Sequence, residues 1–284
     1  MDKVYNPTTI GESMGIKVAA SDLKRLLTLT QRRQTVAGKN NPQVIACILR
    51  YGDNRLFTKS LVRDGRTSVS YFYVAAEADG EENIVVPDIE QMLGVLKAHS
   101  GTVSLSSKDN KTVIRSGKKT TTLQAQSGGL AFPHSTETIG EWEEKSSMLL
   151  MKVSRNSYQM ADGKTLEAFY TMTIPASELA EAFSSDNING QKLNQYGFFG
   201  SPNSMLIRTG GLYKGMTEYA LDVELPEEEF EVVFEGGLEN VMSEISGDIQ
   251  VSFLDFRPYN QGIRAIFFSE DHGHIMQAGV INDS

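Results

Sequence analysis

The chain is poor in cysteine and in long apolar runs. Its single cysteine, Cys47, excludes an internal disulfide and favours a reducing intracellular compartment. Because Cys47 stands inside the apolar run 44–49, we expect a buried core thiol rather than a nucleophile. No apolar run approaches the roughly 18 residues that span a bilayer, and the first fifteen residues lack a basic stretch followed by an apolar one. We therefore expect a cytoplasmic protein without a membrane anchor.

Basic residues are scarce in the second half of the chain. Residues 1–126 carry 18 Lys and Arg against 12 Asp and Glu, a balance of +6, whereas 127–284 carry 9 against 24, a balance of −15. One interpretation is a drift of surface charge without consequence. The other is that the two halves meet head to tail in an oligomer, where opposite charges help association.

The chain also lacks the motifs of an enzyme. The run from Ser116 to Thr120 has Lys119 where a phosphate-binding loop needs Ser or Thr, so a basic hairpin turn is expected. His272 and His274 have no third soft ligand near in sequence, which favours a surface turn over a metal site. The acidic cluster around Trp142 is interpreted as a solvated linker. We expect no catalytic residues, no metal and no cofactor.

What the chain does contain is an internal duplication. The runs 16–27 and 172–183, offset by 156 positions (172 − 16), each pass from alternating apolar residues through a serine into an apolar helical pattern. The serines, Ser21 and Ser177, are the expected helix N-caps. A second pair of helices, offset by 149 positions (238 − 89), is predicted from apolar spacing at 89–96 and at 238–245.

This duplication predicts two α+β domains, each with two helices packed on antiparallel sheets. We expect a first domain at residues 1–126, an interdomain connector at 127–167 and a second domain at 168–284. Within the second domain the glycine-rich stretch 184–203 is predicted to be a loop, and 148–153 is a possible strand of the connector.

The order of these elements resembles the DNA sliding clamps, especially the two-domain, trimer-forming kind found in T-even-like phages and in proliferating cell nuclear antigen. The resemblance is carried by the passages 84–96, 219–225, 230–234, 238–245, 249–253, 262–268 and 273–280. Clamps have no short signature motif, so the order of elements is the evidence.

The resemblance implies a homotrimeric ring that encircles double-stranded DNA without reading its sequence and tethers the replicative DNA polymerase. Three copies would bring twelve helices to the hole, and a clamp loader is implied as a further partner. Loose contacts between helix-borne cations and phosphates would permit sliding. The polar face of the first helix and the end of the second offer the DNA-contacting residues that we expect: Lys24, Arg25, Arg32, Arg33 and Lys97.

The chain departs from clamps in its second domain, whose helices carry no Lys or Arg. Their predicted exposed residues are acidic: Glu178, Glu181, Glu239 and Glu244. The DNA-facing charge would therefore come almost entirely from the first domain.

The resemblance also implies a pocket in which client proteins insert a short apolar peptide, beneath the connector and beside the C-terminal strand. By position its residues would be Phe132, Pro133, Met276, Ala278 and Val280. The alternative is that these residues cap the second domain's core.

Two other functions fit the same pattern. One is a non-identical subunit of a heteromeric or regulatory clamp, which the acidic second-domain helices suggest. The other is a viral structural or assembly protein built on duplicated α+β domains. Native mass distinguishes them, because a replication clamp gives three copies, a hetero-subunit one copy and a structural protein large assemblies.

Overall fold

The computed structural model describes residues 15–36, 39–63, 67–78, 83–108, 111–124, 151–160, 163–184, 187–188, 191–192, 195–211, 215–235, 238–259 and 262–279. The elements of the first half are β1 (Ile16–Ala19), α1 (Ala20–Gln31), β2 (Arg33–Val36), β3 (Lys39–Pro42), β4 (Cys47–Gly52), β5 (Arg55–Arg63), β6 (Thr67–Ala75), β7 (Asn83–Val86), α2 (Ile89–Leu96), β8 (Thr102–Lys108), β9 (Lys111–Ser116) and β10 (Lys119–Gln124).

The second half repeats this order after two short strands. Its elements are β11 (Met151–Lys152), β12 (Ser157–Gln159), β13 (Thr165–Pro175), α3 (Ala176–Ser184), β14 (Asn187–Ile188), β15 (Gln191–Lys192), β16 (Gln195–Ser201), β17 (Ser204–Gly211), β18 (Gly215–Ala220), β19 (Phe230–Glu235), α4 (Leu238–Met242), β20 (Asp248–Asp255), a 3-10 turn (Arg257–Tyr259), β21 (Ile263–Ser269) and β22 (Gly273–Ala278).

The sheets confirm the duplication. In the first half β1-β8-β9-β10 form one antiparallel run and β7-β4-β5-β6 form another. The second half has the matching runs β13-β20-β21-β22 and β19-β16-β17-β18. Strand β22 pairs with β6, so one ten-stranded sheet crosses from the second half into the first, with β12 and β11 beyond β13. The counterparts of β22 and β6, which are β10 and β18, each end a four-stranded sheet.

The predicted α+β architecture is therefore confirmed, with two helices in each half. Leu23, Leu26 and Leu27 of α1 are fully buried, and the helix packs against β6 and α2. In the second half Leu179 and Phe183 of α3 are equally buried, and α3 packs against α4. The i, i+3, i+4 spacing that predicted these helices also decides which of their faces are buried.

The helix starts differ from the prediction. Helix α1 begins at Ala20, one residue before Ser21, and no side chain caps it. Instead the Ala20 amide donates to the carbonyl of Gly101 at 2.8 Å, and the Ala176 amide of α3 donates in the same way to Gly247 at 2.9 Å. A strand that runs directly into a helix thus obtains its N-terminal acceptor from a neighbouring loop rather than from a serine.

The prediction of a loop at 184–203 was wrong, because the stretch contains the short paired strands β14 and β15 and the longer strand β16. Strand β16 runs through it, and Tyr196 and Phe198 are fully buried in the core. Two glycines suggested a loop, but they mark close packing instead. A Cβ at Gly197 would lie 2.5 Å from the ring of Phe199, and one at Gly200 would overlap the ring of Phe230. Glycine in a strand often marks such a close approach.

The bounds of α4 and of the connector also differ from the prediction. Helix α4 ends at Met242, and the predicted continuation to residue 245 is a tightened turn in which the Ile245 amide donates to Met242 at 3.3 Å. Of the predicted connector 127–167, residues 127–150 and 161–162 lie outside the described residues, while 151–152 and 157–159 pair as strands and β13 already begins at residue 165.

Candidate nucleic-acid interface and partner surfaces

The cations predicted to meet DNA lie on α1, directly after it and directly after α2. Lys24 is half-buried on α1, and Lys97 is exposed directly after α2. Arg25 donates from Nη2 to Asp22 Oδ1 at 3.1 Å, with the two side chains 36% and 34% exposed. Such a pair in solvent contributes little stability, so Arg25 can exchange its partner at small cost.

Arg33 joins the two helices. Its Nη2 donates to Glu90 Oε1 on α2 at 2.9 Å, and its Nε donates to Gln31 Oε1 at the end of α1, also at 2.9 Å. The side chain is therefore held in place beside α2, with its charge partly balanced.

Arg32 does not lie where it was predicted. It is 3% exposed, and its guanidinium donates to Ser68 Oγ on β6. The reason is local: Arg32 caps α1 with a left-handed backbone, φ 44°, so the chain turns there instead of continuing the helix. A run of two arginines normally indicates an exposed position, and the left-handed turn that separates these two was not visible in the sequence.

The second-half helices are acidic, as predicted, but not uniformly exposed. Glu181 and Glu244 are exposed and Glu178 is half-buried. Glu239 is 5% exposed and accepts a hydrogen bond from the Tyr196 hydroxyl, so its predicted exposure was wrong. Desolvation, with the charges of Glu181 and Glu178, raises the pKa of the Tyr219 hydroxyl on β18.

The turn between β21 and β22 forms part of the contact between the halves. The carbonyl of His272 accepts from the Tyr73 amide of β6 at 3.1 Å, and that of Glu270 accepts from the Tyr73 hydroxyl. Asn240 of α4 donates from Nδ2 to the Arg33 carbonyl at 2.7 Å. The predicted surface turn is thus packed: His272 is 2% exposed. Among the described residues no group of three or more His, Cys, Asp or Glu could hold a metal ion.

Burial makes both histidines of this turn acid-sensitive. Desolvation, helped by Lys59, lowers the pKa of His274 to about 4, and desolvation, helped by Arg25, lowers the pKa of His272 against the opposing charges of Asp271 and Asp22. The pKa of each histidine is lower in the folded chain than in the unfolded chain, where it is about 6.5. The stability that the neutral ring contributes is therefore fully present above about pH 6.5 and is lost as the pH falls towards 4.

We expect the free energy of unfolding in urea to fall on the order of 2 kcal/mol between pH 7 and pH 4.5 through His274. His274→Gln should lose part of that dependence, because glutamine does not titrate. The same slope in wild type and variant would contradict the assignment.

The predicted client pocket is only partly described. Phe132, Pro133 and Val280 lie outside the described residues, and Ala278 pairs with Arg264 at the end of β22. Met276 is 2% exposed and belongs to a second small core on the sheet face away from the helices. The buried members of this core are Val69, Tyr158, Leu254, Phe256, Ile266 and Met276. For Met276 the structure therefore fits the alternative prediction, that the residue caps a core.

Several solved sliding clamps share this arrangement. Archaeoglobus fulgidus PCNA, bound to the C-terminal region of FEN-1, superimposes with a TM-score of 0.61 at 11% identity over 95% of this chain and 100% of its own. The DNA polymerase sliding clamp of Pseudomonas aeruginosa has a TM-score of 0.61 and 16% identity, with 98% of this chain and 70% of the clamp chain covered. The Bacillus subtilis clamp has a TM-score of 0.62 and 12% identity, with 98% of this chain and 67% of its own covered. The chain has the fold of the DNA sliding clamps.

Sequence comparison adds nothing to this likeness. No protein-family model matches the chain, and no curated protein matches it significantly. Within the described ranges, none of the helices has the length and apolarity needed to cross a membrane.

Two features with functional potential were not recognised from the sequence. The edges of β10 and β18, which are unpaired within the described residues, depend on which strands pair. The second core depends on which sheet face is left uncovered. A partial signal existed for β18, since Met216 is a large apolar residue between glycine and threonine, and it is 53% exposed.

Proposed function

We propose that the chain is the subunit of a ring-shaped DNA sliding clamp, which closes head to tail as a homotrimer, encircles duplex DNA and tethers the replicative polymerase. The observation that carries this proposal is the pairing of β22 with β6, while their counterparts β10 and β18 end their sheets. If the contact between two halves of one chain is repeated between chains, β10 of one subunit pairs with β18 of the next.

The internal contact predicts the register of that pairing. Thr121 of β10 faces Ile114, as Ile275 of β22 faces Phe267. Tyr219 of β18 faces Ile207, as Phe72 of β6 faces Thr58. Within the chain Ile275 faces Ser70, two residues before Phe72.

The matching residues then face each other across the ring contact. Thr121 is expected opposite Thr217 of the next subunit, Thr120 opposite Glu218, and Thr122 opposite Met216. The exposed Met216 would thereby be covered, and the exposed edges of both strands would gain hydrogen bonds that an unpaired edge lacks.

Charge favours the same contact. The β9–β10 turn carries Lys118 and Lys119, both exposed, and Glu218 on β18 is exposed as well. The charges of the α3 carboxylates act on the Tyr219 hydroxyl of β18, and the two halves of the chain differ in charge by 21 (+6 against −15). Opposite potentials on two mating edges increase the association rate and exclude wrong partners.

The ring would present α1 and α2 to the DNA. Lys24, Arg25 and Lys97 are the side chains we propose for phosphate contact, with Arg33 held beside them by Glu90. Arg32 is left out of the interface because it is buried. Since α3 and α4 bear no basic residue, DNA would be attracted to three arcs of the hole and repelled by the three between them.

The C-terminal edge of the second core is the proposed client site. We expect Ala278→Arg, and separately Val280→Asp, to weaken binding of the polymerase's C-terminal peptide by about tenfold or more, because a charge would enter an apolar groove. Fluorescence anisotropy on variants that still form trimers measures the effect. Wild-type affinity in both variants would locate the client site elsewhere on the ring.

A heteromeric clamp subunit is the second candidate, and the acidic α3 and α4 favour it. The two are separated by native mass spectrometry of the purified chain at micromolar concentration. Three copies support the homotrimer, and a monomer that assembles only with another chain supports the heteromer.

A further inference from the structure

An exposed aromatic residue in the second half is displayed by an irregularity of its strand. In β13 Ala168 pairs with Leu254 and Tyr170 with Phe253, so Phe169 is the extra residue of a β-bulge. Leu166 and Ala168 before the bulge pack on the second core, whereas Tyr170 and Met172 after it enter the main core. Phe169 lies on the main-core side, with its ring centroid 6.4 Å from that of Phe253, yet it is 47% exposed. Bulges re-aim side chains in this way at functional positions.

The Phe169 ring packs against other aromatic rings. It meets Phe230 edge to face with centroids 5.3 Å apart, and Phe230 packs on the buried Phe253 at 4.9 Å. Phe230 is half-buried, and Leu225, in the segment that leads to it, is 40% exposed. These three residues, Phe169, Leu225 and Phe230, are called the aromatic patch below.

The patch adjoins a strongly acidic segment. Residues 222–231 contain six carboxylates, all exposed, and no basic residue occurs between 215 and 256. The segment is tied to β13, because the Tyr170 hydroxyl donates to the Glu224 carbonyl. Burial, together with the charge of Glu224, raises the pKa of Tyr170 to about 12.

The patch is separate from the proposed ring contact. Phe230 begins β19 and pairs with Gly200 of β16, and β19 is at the opposite end of its sheet from β18.

We propose that the aromatic patch and the acidic segment together bind a short segment of a partner protein that presents an apolar side chain flanked by lysine or arginine. The apolar side chain would cover Phe169 and Leu225, and the flanking cations would meet the carboxylates of 222–231. An aromatic anchor supplies most of the affinity in such contacts, and the charged rim supplies selection and rate. The proposal goes beyond the clamp function and does not depend on it.

The test uses a fluorescein-labelled hexapeptide with a Leu-Phe centre and two arginines on each side, and a second hexapeptide with glutamates in place of the arginines. Binding to the full chain is followed by fluorescence anisotropy at 50 mM and 500 mM salt. We expect the basic peptide to bind, the acidic one not to bind at equal concentrations, and affinity to fall at least tenfold at the higher salt.

Two variants locate the site. Phe169→Ser should weaken binding at least tenfold. The triple variant Glu227→Gln, Glu228→Gln and Glu229→Gln should weaken it similarly and reduce the salt dependence. The matched control makes the same change of charge elsewhere, with Glu178→Gln, Glu181→Gln and Glu244→Gln, and it should bind like wild type. Thermal unfolding checks that each variant is folded, and the exposed Gln variants keep the test valid if Phe169→Ser is unstable.

Several results would overturn the proposal. These are failure of the basic peptide to bind at 1 mM, equal loss of affinity in both Gln variants, or unchanged affinity in Phe169→Ser. A change of oligomeric state in Phe169→Ser would instead identify the patch as a contact between copies of this chain. A monomeric β18 variant that still binds the peptide would separate this site from the clamp proposal.

Discussion

Replacing Met216 and Glu218 of β18 with lysine should convert the trimer into monomers at micromolar concentration. The proposed register brings Met216 opposite Thr122 and Glu218 opposite Thr120, next to Lys118 and Lys119 of the neighbouring subunit. Two lysines there would remove an apolar contact and place like charges together, which costs on the order of 3 kcal/mol per contact, or about 100-fold in affinity. Sedimentation velocity at several concentrations measures the change.

The fold of the Met216→Lys, Glu218→Lys variant should be retained. In the subunit Met216 is 53% exposed, and Glu218 accepts from Arg208 Nε at 2.7 Å in a pair whose side chains are 32% and 46% exposed. Loss of such a pair costs about 0–1 kcal/mol.

A charge swap provides the matched control. Glu218→Lys alone should weaken the trimer, and adding Lys118→Glu and Lys119→Glu to the same chain should restore it, since every contact in the ring then has the reversed pair. A trimer that survives the double lysine variant, or a swap that fails to restore assembly, would contradict the proposed edge pairing.

Replacing Lys24 and Arg25 with glutamate should abolish processive synthesis while leaving the trimer intact. Both residues are half-buried on α1 and are not among its buried residues Leu23, Leu26 and Leu27, so we expect the fold to be retained. In a homotrimer the double variant reverses six charges in the hole. With each lost phosphate contact the slope of log affinity against log salt should fall by about 0.9.

Two measurements test this expectation. Product length per binding event in primer extension with the cognate polymerase and loader reports processivity, and salt-dependent retention on circular DNA reports the phosphate contacts. Arg55→Glu with Lys59→Glu, on the sheet rather than on the helices, is the control and should behave like wild type. Unchanged processivity in the Lys24, Arg25 variant would refute the assignment of the DNA-facing helices.

The duplicated order of elements was predictable because it depends on local apolar periodicity. The spacing of Leu23, Leu26 and Leu27, repeated by Leu179 and Phe183, appears in the sequence and in the core alike. The Asp88 N-cap was also readable, since an aspartate before an apolar helical run commonly accepts from the third amide, here Gln91 at 2.8 Å.

The predictions that were wrong concern residues whose positions depend on contacts distant in sequence. Strand β16 was missed because Gly197 and Gly200 read as loop signals, while their actual role is to admit the rings of Phe199 and Phe230. Ser21 lost its capping role to the carbonyl of Gly101, some 80 residues away. Arg32 and Glu239 were expected on the surface, yet partners on other strands, Ser68 and Tyr196, bind them inside.

The same difference between local pattern and contacts distant in sequence applies to the candidate site. The positions of Lys24 and Lys97 outside the core could be predicted from helical periodicity alone, whereas the edges β10 and β18 emerge only once the strand order is known. The acidic second half is visible in the composition. It is the feature that most distinguishes this chain from a clamp whose hole is uniformly basic.

Disulfide trapping of the β10–β18 contact tests the ring most directly. Cysteines at Thr120 and Glu218 face each other in the proposed register, and a second pair, at Thr121 and Thr217, covers the alternate geometry of neighbouring antiparallel positions. The native Cys47 is 1% exposed and does not compete. The control pair, Thr120→Cys with Met216→Cys, is two residues out of register. After mild oxidation, denaturing gels should show dimers and trimers and no larger species for at least one in-register pair, and monomer for the control. Monomer with every pair, or a ladder that continues beyond three subunits, would contradict the closed three-subunit ring.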